Sequence, residues 1–393
     1  MTARADDETR VHVALVGPFP ENRETFRGGV EAITYRLAEG LAREAGLRVD
    51  VVTLTENRAI CGVADWGYRV TRLPASARFG NINFAMPDRR RLAGALREIG
   101  PQIVHAHSLG AGALGAIESG IPTVISIHGV IEREVALERG LKNRIRYMPR
   151  LRVVKASLAR GRDFVIVSPY VANVYRAQLV GKRTYDLETS VDPLFFDVEP
   201  REEGLVIVQS GPVIPRKGGI DLVRAAPRIF AAHPAAEIRF AGGASDAGYK
   251  LELDRAIAER GLAGRVAFLG RLAPADLARE IGRAACVVLP SHQETAPIAI
   301  QEAMAAGRAV VASSAGGNPF LVEEGATGFI VPPGDPEALA ARLIDVLRDA
   351  PRREAMGRRA RELARARFEM GAVARGSVAI YERVLAAHTA AAS

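Results

Sequence analysis

Short apolar runs alternate along this chain with longer segments in which apolar residues recur at helical spacing. Continuous apolar runs between helical segments are typical of strands buried in a parallel sheet. The repeated β-α-β order therefore predicts a doubly wound α/β fold class. The predicted strands are 11–17, 49–54, 103–107, 123–129 and 163–168 in the first half, and 205–211, 237–243, 265–270, 286–291, 309–313 and 328–332 in the second.

Segment 193–204 separates two parts of the chain that carry similar numbers of predicted strands. It is rich in Pro and acidic residues and has no periodicity, which is typical of a linker. A chain of 393 residues is also too long for one ordinary domain. We therefore predict two doubly wound domains, 1–198 and 199–369. An amphipathic stretch predicts a C-terminal helix over 370–393, which we expect to pack back on the first domain.

The composition is that of a globular protein from a reducing compartment. Hydrophobic residues make up 48% and charged residues 25% of the chain. No apolar run is long enough for a membrane span, so we expect a cytoplasmic protein. Cys61 and Cys286 form neither a disulfide framework nor a metal motif. The excess of 53 basic over 45 acidic residues favours an anionic partner.

The segment Pro290–Asp335 combines acidic residues with the start of a helix. A predicted strand leads into a loop with Glu294, and a predicted helix over 297–306 stops at Gly307. Glu294 and Glu302 would be roughly 12 Å apart along a helix, too far to act as an acid/base pair on one bond. They can instead bind two ends of one elongated ligand, with the helix N-terminus facing an anion such as a diphosphate.

Two further loops follow predicted strands and carry residues suited to a diphosphate. The loop after 205–211 holds Arg216 and Lys217 just before a helix, where cations and free backbone N–H groups act together. The loop after the first strand holds Gly28 and Gly29, and a glycine pair lets the backbone approach a ligand closely. Together with the Glu pair, these loops predict an anion-binding site.

These motifs together resemble the retaining glycosyltransferases of family 4, which have the GT-B fold. The Glu-x7-Glu spacing followed by EAMAAG, VVAS and GFIVPPGD carries the similarity, which extends over nearly the whole chain. The resemblance implies two Rossmann-like domains facing each other across a cleft. It also implies transfer of a sugar from a nucleotide-diphosphate sugar with retained anomeric configuration and without a metal or other cofactor.

The resemblance also assigns roles to individual residues. Glu294 and His128 are expected to be catalytic, at the reacting sugar. Glu302 is expected to bind the ribose hydroxyls, and His107 to lie on the acceptor side. The expected donor-binding residues are Gly28, Gly29, Arg216, Lys217, Thr295, Ala296, Pro297, Ile298 and Glu302.

The chain departs from the family pattern at two places. Thr189 and Ser190 stand where the family has an Asn-Gly pair, and Thr295-Ala296-Pro297 stands where many members have Gly-Phe-Gly. Pro297 has no backbone N–H to donate to a ligand. The donor contacts are therefore expected to differ at this loop, and the resemblance does not identify the donor sugar.

Segment 139–162 contains nine basic residues and no acidic one. It predicts either a peripheral contact with an anionic membrane or a solvated pair of surface helices broken at Pro149. The expected acceptor is a glycan, a lipid-linked molecule or a small molecule, in cell-envelope or exopolysaccharide synthesis. Nucleic acid is not expected as a partner, because no known binding module accompanies the charge.

Two other functions stay open from the sequence. One is a sugar-nucleotide epimerase of the same fold, which would act without an acceptor, although the additional carboxylates that it would need are not evident. The other is a non-catalytic nucleotide-sugar-binding protein, against which the presence of Glu294, Glu302 and Lys217 argues. A nicotinamide dehydrogenase is excluded, because no GxGxxG follows the first strand.

Overall fold

The computed structural model of the chain describes residues 11–43, 47–76, 85–137 and 141–392, without the side chains of 141–146 and 392. The described residues divide into two compact units. The first unit comprises the described residues up to Ser190 and those from Met370 onward, and the second unit is Val191–Glu369. Each unit is a mainly parallel sheet with helices, which confirms the predicted doubly wound class.

The elements follow one another in alternation along the chain. The strands of the first unit are β1 (Val11–Val16), β2 (Leu47–Thr55), β3 (Gly62–Asp65), β4 (Arg69–Pro74), β5 (Ile103–His107), β6 (Thr123–Ile127), β7 (Asp163–Ile166) and β8 (Arg183–Asp186). Those of the second unit are β9 (Leu205–Ser210), β10 (Ala236–Ala241), β11 (Val266–Gly270), β12 (Cys286–Leu289), β13 (Ala309–Ser313) and β14 (Gly328–Val331). The helices are α1 (Gly29–Arg43), α2 (Met86–Ile99), α3 (Ala111–Ser119), α4 (Ile131–Ala136), α5 (Leu141–Arg160), α6 (Pro169–Val174), α7 (Pro193–Asp197), α8 (Gly219–Ala232), α9 (Ala247–Glu259), α10 (Pro274–Arg283), α11 (Ile298–Ala305), α12 (Pro336–Arg348), α13 (Ala350–Phe368) and α14 (Met370–Ala392).

The sheet of the first unit has the order β3-β4-β2-β1-β5-β6-β7-β8 among the described residues. Its strands pair in parallel, except that the edge strand β3 is antiparallel to β4. After β1 the chain places β2 and then β4 on one side of β1, and it places β5 on the other side of β1. The strand order therefore reverses between β1 and β5, at the type of position where doubly wound sheets bind ligands.

The sheet of the second unit has the order β11-β10-β9-β12-β13-β14, and its strands are parallel. Here the order reverses between β9 and β12. Neighbouring residues of one strand enter opposite faces of the core: Val288 packs in one hydrophobic cluster, and Val287 packs in the other. Because both faces are covered, the strands are continuously apolar, as the sequence pattern predicts.

The segment predicted as a linker is partly helical and packs in the second unit. Asp192 accepts a hydrogen bond from the Leu194 N–H at 3.1 Å, Pro193 is the first residue of α7, and the Phe195 side chain is fully buried. A proline at the first helical position is favourable, so the Pro and acidic composition marks a helix start rather than a flexible segment. The division between the units lies at Ser190, earlier than the predicted boundary at 198.

The last helix, α14, is grouped with the first unit. It packs on α1, where Gly40 lies against Met370 and Ala374. A side chain at position 40 would meet the Met370 side chain at 3.1 Å, so glycine allows the two helices to approach closely. The Tyr381 hydroxyl, also on α14, is 2.8 Å from His105 Nδ1 at the end of β5.

Helix α5 passes through Pro149 without a break, so the predicted pair of helices is wrong. Its described side chains separate into a buried side with Val153 and Val154 and an exposed side with Met148, Arg152 and Lys155. Packing of the buried side outweighs the backbone hydrogen bond that a proline removes. No helix in the described ranges is both long and apolar enough to cross a bilayer. Of the basic residues in the predicted segment, Arg139 and the side chains of Lys142, Arg144 and Arg146 lie outside the described residues.

Candidate functional site

Lys217 and Glu294 meet where the strand order of the second sheet reverses. Lys217 follows β9 and Glu294 follows β12, and Lys217 Nζ donates to Glu294 Oε1 at 2.6 Å. The Ser291 hydroxyl donates to the same oxygen at 2.7 Å. Arg216 Nη1 lies 3.7 Å from Glu294 Oε2 and donates to the Gln293 carbonyl at 2.9 Å. The structure thus brings three sequence-predicted residues into one cluster.

The charge state of Glu294 is set by its burial and by its contacts with Lys217, Arg216 and Ser291. Burial alone would raise the pKa of Glu294, but Lys217 and Arg216, with the hydrogen bonds from Lys217 and Ser291, hold it below its ordinary value. Glu294 is therefore ionised at neutral pH. One carboxylate faces two cations, so one positive charge remains uncompensated within the cluster. That surplus suits an anionic ligand such as a diphosphate.

Two glycines let the loops of this cluster pack backbone against backbone. Gly218 has φ +67°, and a Cβ built on it would lie 2.0 Å from the Pro290 carbonyl oxygen. Gly316 has φ +57°, and its Cβ would lie 1.8 Å from the carbonyl oxygen of Glu294. Only glycine fits at such contacts. The loops after β9, β12 and β13 are thereby held together, a structural role that the sequence analysis did not assign to these glycines.

The helix after Glu294 begins later than predicted. Pro297 has an extended backbone, with φ −70° and ψ 115°, and α11 starts at Ile298, while Gly307, with φ +70°, follows its end as predicted. Glu294 is therefore outside the helix, and the distance of roughly 12 Å expected for a helical spacing does not apply. Glu302 lies on α11 and is buried.

The remaining donor-loop residues accompany Glu294. Thr295 and Pro297 are buried, whereas Ala296 and Ile298 are partly exposed. The buried backbone of this stretch packs against the loop after β13, because Gly317 lies against the Thr295 carbonyl oxygen.

His107 and His128 form a pair in the first unit. His107 ends β5 and His128 directly follows β6, with His107 Nδ1 3.1 Å from His128 Nε2 and the two ring planes within 6° of each other. His105 packs against His107, with ring centroids 4.3 Å apart. His105 is fixed by two hydrogen bonds, to the Tyr381 hydroxyl at 2.8 Å and to the Ser126 hydroxyl at 2.7 Å. Sequence analysis named the first two histidines, but only the structure shows that they touch.

These histidines are neutral at physiological pH. Burial lowers the pKa of His128 to about 4, and burial together with the charge of His128 lowers the pKa of His105 to about 3. Burial also holds the pKa of His107 well below its ordinary value. A neutral imidazole has one donor and one acceptor nitrogen, so each ring can exchange a proton within a hydrogen bond.

Gly28 and Gly29 lie beside a cavity of about 510 Å³ in the first unit. The cavity is at the carboxyl ends of β1, β2 and β4, and α1 begins at Gly29, as predicted. The Glu31 carboxylate, also at the cavity, accepts a hydrogen bond from the Arg27 backbone N–H and so fixes the turn that carries the glycine pair. Other lining residues include Phe19, Glu21, Thr53, Thr55, Glu56 and Arg72. Sequence analysis did not select Glu31, although an acidic residue three positions into a helix is a known signal.

A second, smaller cavity lies elsewhere in the first unit. It is lined by His105, His107 and His128, with Ser126 and Ser190 among its other residues. The glycine pair and the histidine pair therefore line separate cavities. Across the described ranges, the structure contains no group of three or more His, Cys, Asp or Glu side chains that could hold a metal ion.

Comparison with known proteins identifies this architecture. Sucrose-phosphate synthase from Thermosynechococcus elongatus superposes with a TM-score of 0.82 over 96% of this chain and 100% of that chain, at 23% identity. At this level of identity the similarity shows the shared two-domain GT-B fold.

Two known protein families match the sequence of this chain and identify it more closely than the fold does. The family described as "Glycosyl transferases group 1" matches residues 191–363, and "Glycosyltransferase Family 4" matches residues 27–185. The chain therefore belongs to the family 4 glycosyltransferases, retaining enzymes that transfer a sugar from a nucleotide sugar.

Two curated relatives align along most of the chain. Sulfoquinovosyl transferase SQD2 of Arabidopsis thaliana is 28% identical and covers 91% of this chain and 74% of its own. The phosphatidyl-myo-inositol mannosyltransferase of Mycolicibacterium smegmatis is 28% identical, covering 91% of this chain and 90% of its own.

Proposed function

We propose that the second unit binds the nucleotide-diphosphate sugar and that Lys217 and Arg216 hold its diphosphate. The observation that carries this proposal is the surplus positive charge of the Lys217–Arg216–Glu294 cluster at the end of β9 and β12. Negative charge develops on the diphosphate as the sugar leaves, and preorganised cations stabilise it. The two cations can supply this stabilisation without a metal. Glu294 orients them and offers its remaining lone pairs to hydroxyls of the donor sugar.

Glu302 is proposed to bind the ribose of the donor. Its carboxylate is buried on α11, the helix that follows the Glu294 loop. Charge-assisted hydrogen bonds to neutral hydroxyls are stronger than ordinary ones. Thr295, Ala296 and Ile298 complete the donor contacts, with Pro297 fixing the backbone before the helix.

Acceptor recognition is proposed for the first unit. The cavity beside Gly28 combines carboxylates, guanidinium groups and threonine hydroxyls with the ring of Phe19. Such a mixture of hydrogen-bonding groups and an aromatic face suits a polyhydroxylated glycan. His128, which contacts His107, is proposed to lie close to the reacting sugar, with a role in positioning or proton relay. No protein nucleophile is assigned, and the leaving phosphate takes the acceptor proton. Cell-envelope or exopolysaccharide synthesis is the proposed setting.

A panel of UDP-, GDP-, ADP- and dTDP-sugars tests the proposed function. A bound donor should raise the melting temperature by mass action. The stabilising donor is then incubated with glycan acceptors, and the product and its anomeric configuration are determined by NMR. A retained α-linked product supports transfer. An epimerised or free sugar formed equally fast without acceptor would instead indicate the epimerase, and binding without any turnover would indicate a non-catalytic protein.

Replacing Glu302 with Gln should weaken nucleoside-diphosphate binding without unfolding the second unit. The loss of one charge-assisted hydrogen bond corresponds to about 1.5–3 kcal/mol of binding free energy, measured by calorimetry with UDP and GDP. Glu280→Gln is the matched control, because Glu280 lies on α10 of the same unit and accepts a hydrogen bond from Arg239 on β10. Equal affinities of Glu302→Gln and the parent for both nucleotides would remove Glu302 from the site.

A peripheral contact of α5 with an anionic membrane at the cytoplasmic face is proposed in addition. The observation that favours it is the placement of Met148, Arg152 and Lys155, which are exposed and spaced by four and three residues. That spacing puts them on one face of the helix, opposite the buried Val153 and Val154. An apolar side chain among basic ones is typical of a helix lying at a membrane interface.

Reversing two charges on α5, with Arg152→Glu and Lys155→Glu together, should abolish binding to phosphatidylglycerol vesicles in a sedimentation assay. Each basic residue contributes about 1 kcal/mol near an anionic surface. The control, Arg348→Glu with Arg358→Glu, changes the net charge equally but lies on α12 and α13 of the second unit. If the parent protein does not sediment with these vesicles at low salt, α5 is a solvated surface helix.

A further inference from the structure

The smaller cavity of the first unit is polar and has a volume of about 20 Å³. His107, His128 and Ser190 all line it. Each carries a buried polar atom without a hydrogen-bond partner among the described residues: His107 Nε2, His128 Nδ1 and Ser190 Oγ. Buried polar atoms are rarely left unpaired, so three of them around one cavity require an explanation.

The protons on the two histidine rings show which hydrogen-bond partners the pair lacks. Each neutral ring has one N–H and one bare nitrogen. The contact between His107 Nδ1 and His128 Nε2 uses one N–H and one bare nitrogen, whichever ring donates. One N–H and one bare nitrogen therefore remain on the outer atoms, His107 Nε2 and His128 Nδ1. The pair needs an acceptor and a donor at the same time.

A water molecule meets this requirement. It donates and accepts hydrogen bonds, and a cavity of about 20 Å³ has room for one. Three polar partners are the usual number for a buried water. We propose that one internal water occupies this cavity, bound by the Ser190 hydroxyl and by the ring nitrogens of His107 and His128, and that Ser190 thereby holds the water that joins the two outer ring nitrogens.

Ser190 can hold the water, because its buried hydroxyl has no other hydrogen-bond partner among the described residues. The histidine rings are also prevented from rotating, because His105 packs on His107 and is itself bonded to Tyr381 and Ser126. With the rings fixed, the water satisfies both outer nitrogens in either protonation arrangement, and Ser190 holds the water in place. Ser190 is thus a positioning residue, and its importance for catalysis rests on the proposed role of His128.

Two measurements test this proposal, and neither depends on turnover. A high-resolution crystal structure of the parent protein should show one water within hydrogen-bond distance of Ser190 Oγ and at least one of the two ring nitrogens. Nitrogen NMR of the ¹⁵N-histidine-labelled protein should show His107 Nε2 and His128 Nδ1 in hydrogen bonds in the parent. Ser190→Ala should shift both nitrogen signals, and Ser190→Thr, which keeps the hydroxyl, should restore them.

Ser119→Ala is the control, because Ser119 is a buried serine of the first unit that bonds its own helix. It should leave the His128 signals unchanged. A dry cavity in the crystal, or a Ser190→Ala spectrum identical to that of the parent, would overturn the proposal. The crystal result stands even if a variant fails to fold. A failed donor screen would remove the proposed function but leave the water and the histidine signals unaffected, so the two failures are distinguishable.

Discussion

Glu294→Gln is expected to reduce turnover at least about a hundredfold and also to destabilise the second unit. The carboxylate balances Lys217, which is buried and only 2.6 Å away. Removing one partner of a buried ion pair leaves an uncompensated charge, at a cost of about 3 kcal/mol. Losing a group that organises charge at the reacting centre costs about two orders of magnitude in rate. Chemical denaturation and release of nucleoside diphosphate measure the two effects separately.

A double-mutant cycle separates the structural from the functional part of this loss. Lys217→Met combined with Glu294→Gln removes both charges, so most of the lost stability should return. Turnover should stay low, because the diphosphate then lacks its lysine and the donor sugar its carboxylate. Recovery of both stability and turnover would mean that the pair is only structural.

Glu202 provides the matched control for this cycle. It bonds Arg353 at 2.7 Å and lies near Arg308, in the same unit but not in the loops after β9 and β12. Glu202→Gln should therefore lower the unfolding free energy while the rate per folded molecule stays unchanged. A hundredfold rate loss in this variant would show that rates in the second unit respond to any broken ion pair.

Gly316→Ala is expected to lower the unfolding free energy by about 2–4 kcal/mol and to abolish donor binding. An added methyl would lie 1.8 Å from the Glu294 carbonyl oxygen, and the left-handed backbone, with φ +57°, disfavours any side chain. The loop that carries Glu294 must move away to relieve the contact. Differential scanning calorimetry and a nucleotide titration measure the two results.

Gly28→Ala is the contrasting substitution. Gly28 has no atom within 4 Å of a built Cβ, and its φ lies outside the left-handed region. The variant should therefore keep the stability of the parent, because alanine fits both the space and the backbone. If the glycine pair contacts a ligand, turnover should fall about tenfold or more through the blocked approach. Parent-like turnover would leave Gly28 without a role in the site, and a large loss of stability would contradict the described loop.

The strands that the sequence predicts are those in which both faces are packed in a hydrophobic core. Val287 and Val288 enter different clusters of one core, and such strands are apolar without interruption. Strands β3, β4 and β8 were not predicted, because they carry charged residues and lie toward the sheet edges. In β4 the buried Arg72 donates to the Pro20 carbonyl at 3.0 Å, a contact between distant segments that no local pattern reveals. Tertiary packing, rather than local preference, makes these segments strands.

The chemistry of the site is visible in the sequence, but its geometry is not. Each of Lys217 and Glu294 follows a predicted strand, yet they are 77 positions apart, and only the adjacency of β9 and β12 brings them together. Glu294 precedes α11, as the sequence predicts, and Pro297 keeps an extended backbone before the helix, so helical spacing does not describe the separation of Glu294 and Glu302. A proline at this point is compatible with either arrangement, so the residue type alone cannot decide.

The return of α14 to the first unit has a consequence for synthesis on the ribosome. The hydrogen bond between His105 and Tyr381 spans 276 positions, so the first unit is finished only after Tyr381 has emerged. Val191–Glu369 is contiguous and can complete its fold earlier, although it is translated later than β1–β8. Domains usually fold in the order of their synthesis, and this topology inverts the order in which folding is completed. Until α14 arrives, the face of α1 around Gly40 stays uncovered on the nascent chain, where a chaperone can bind it.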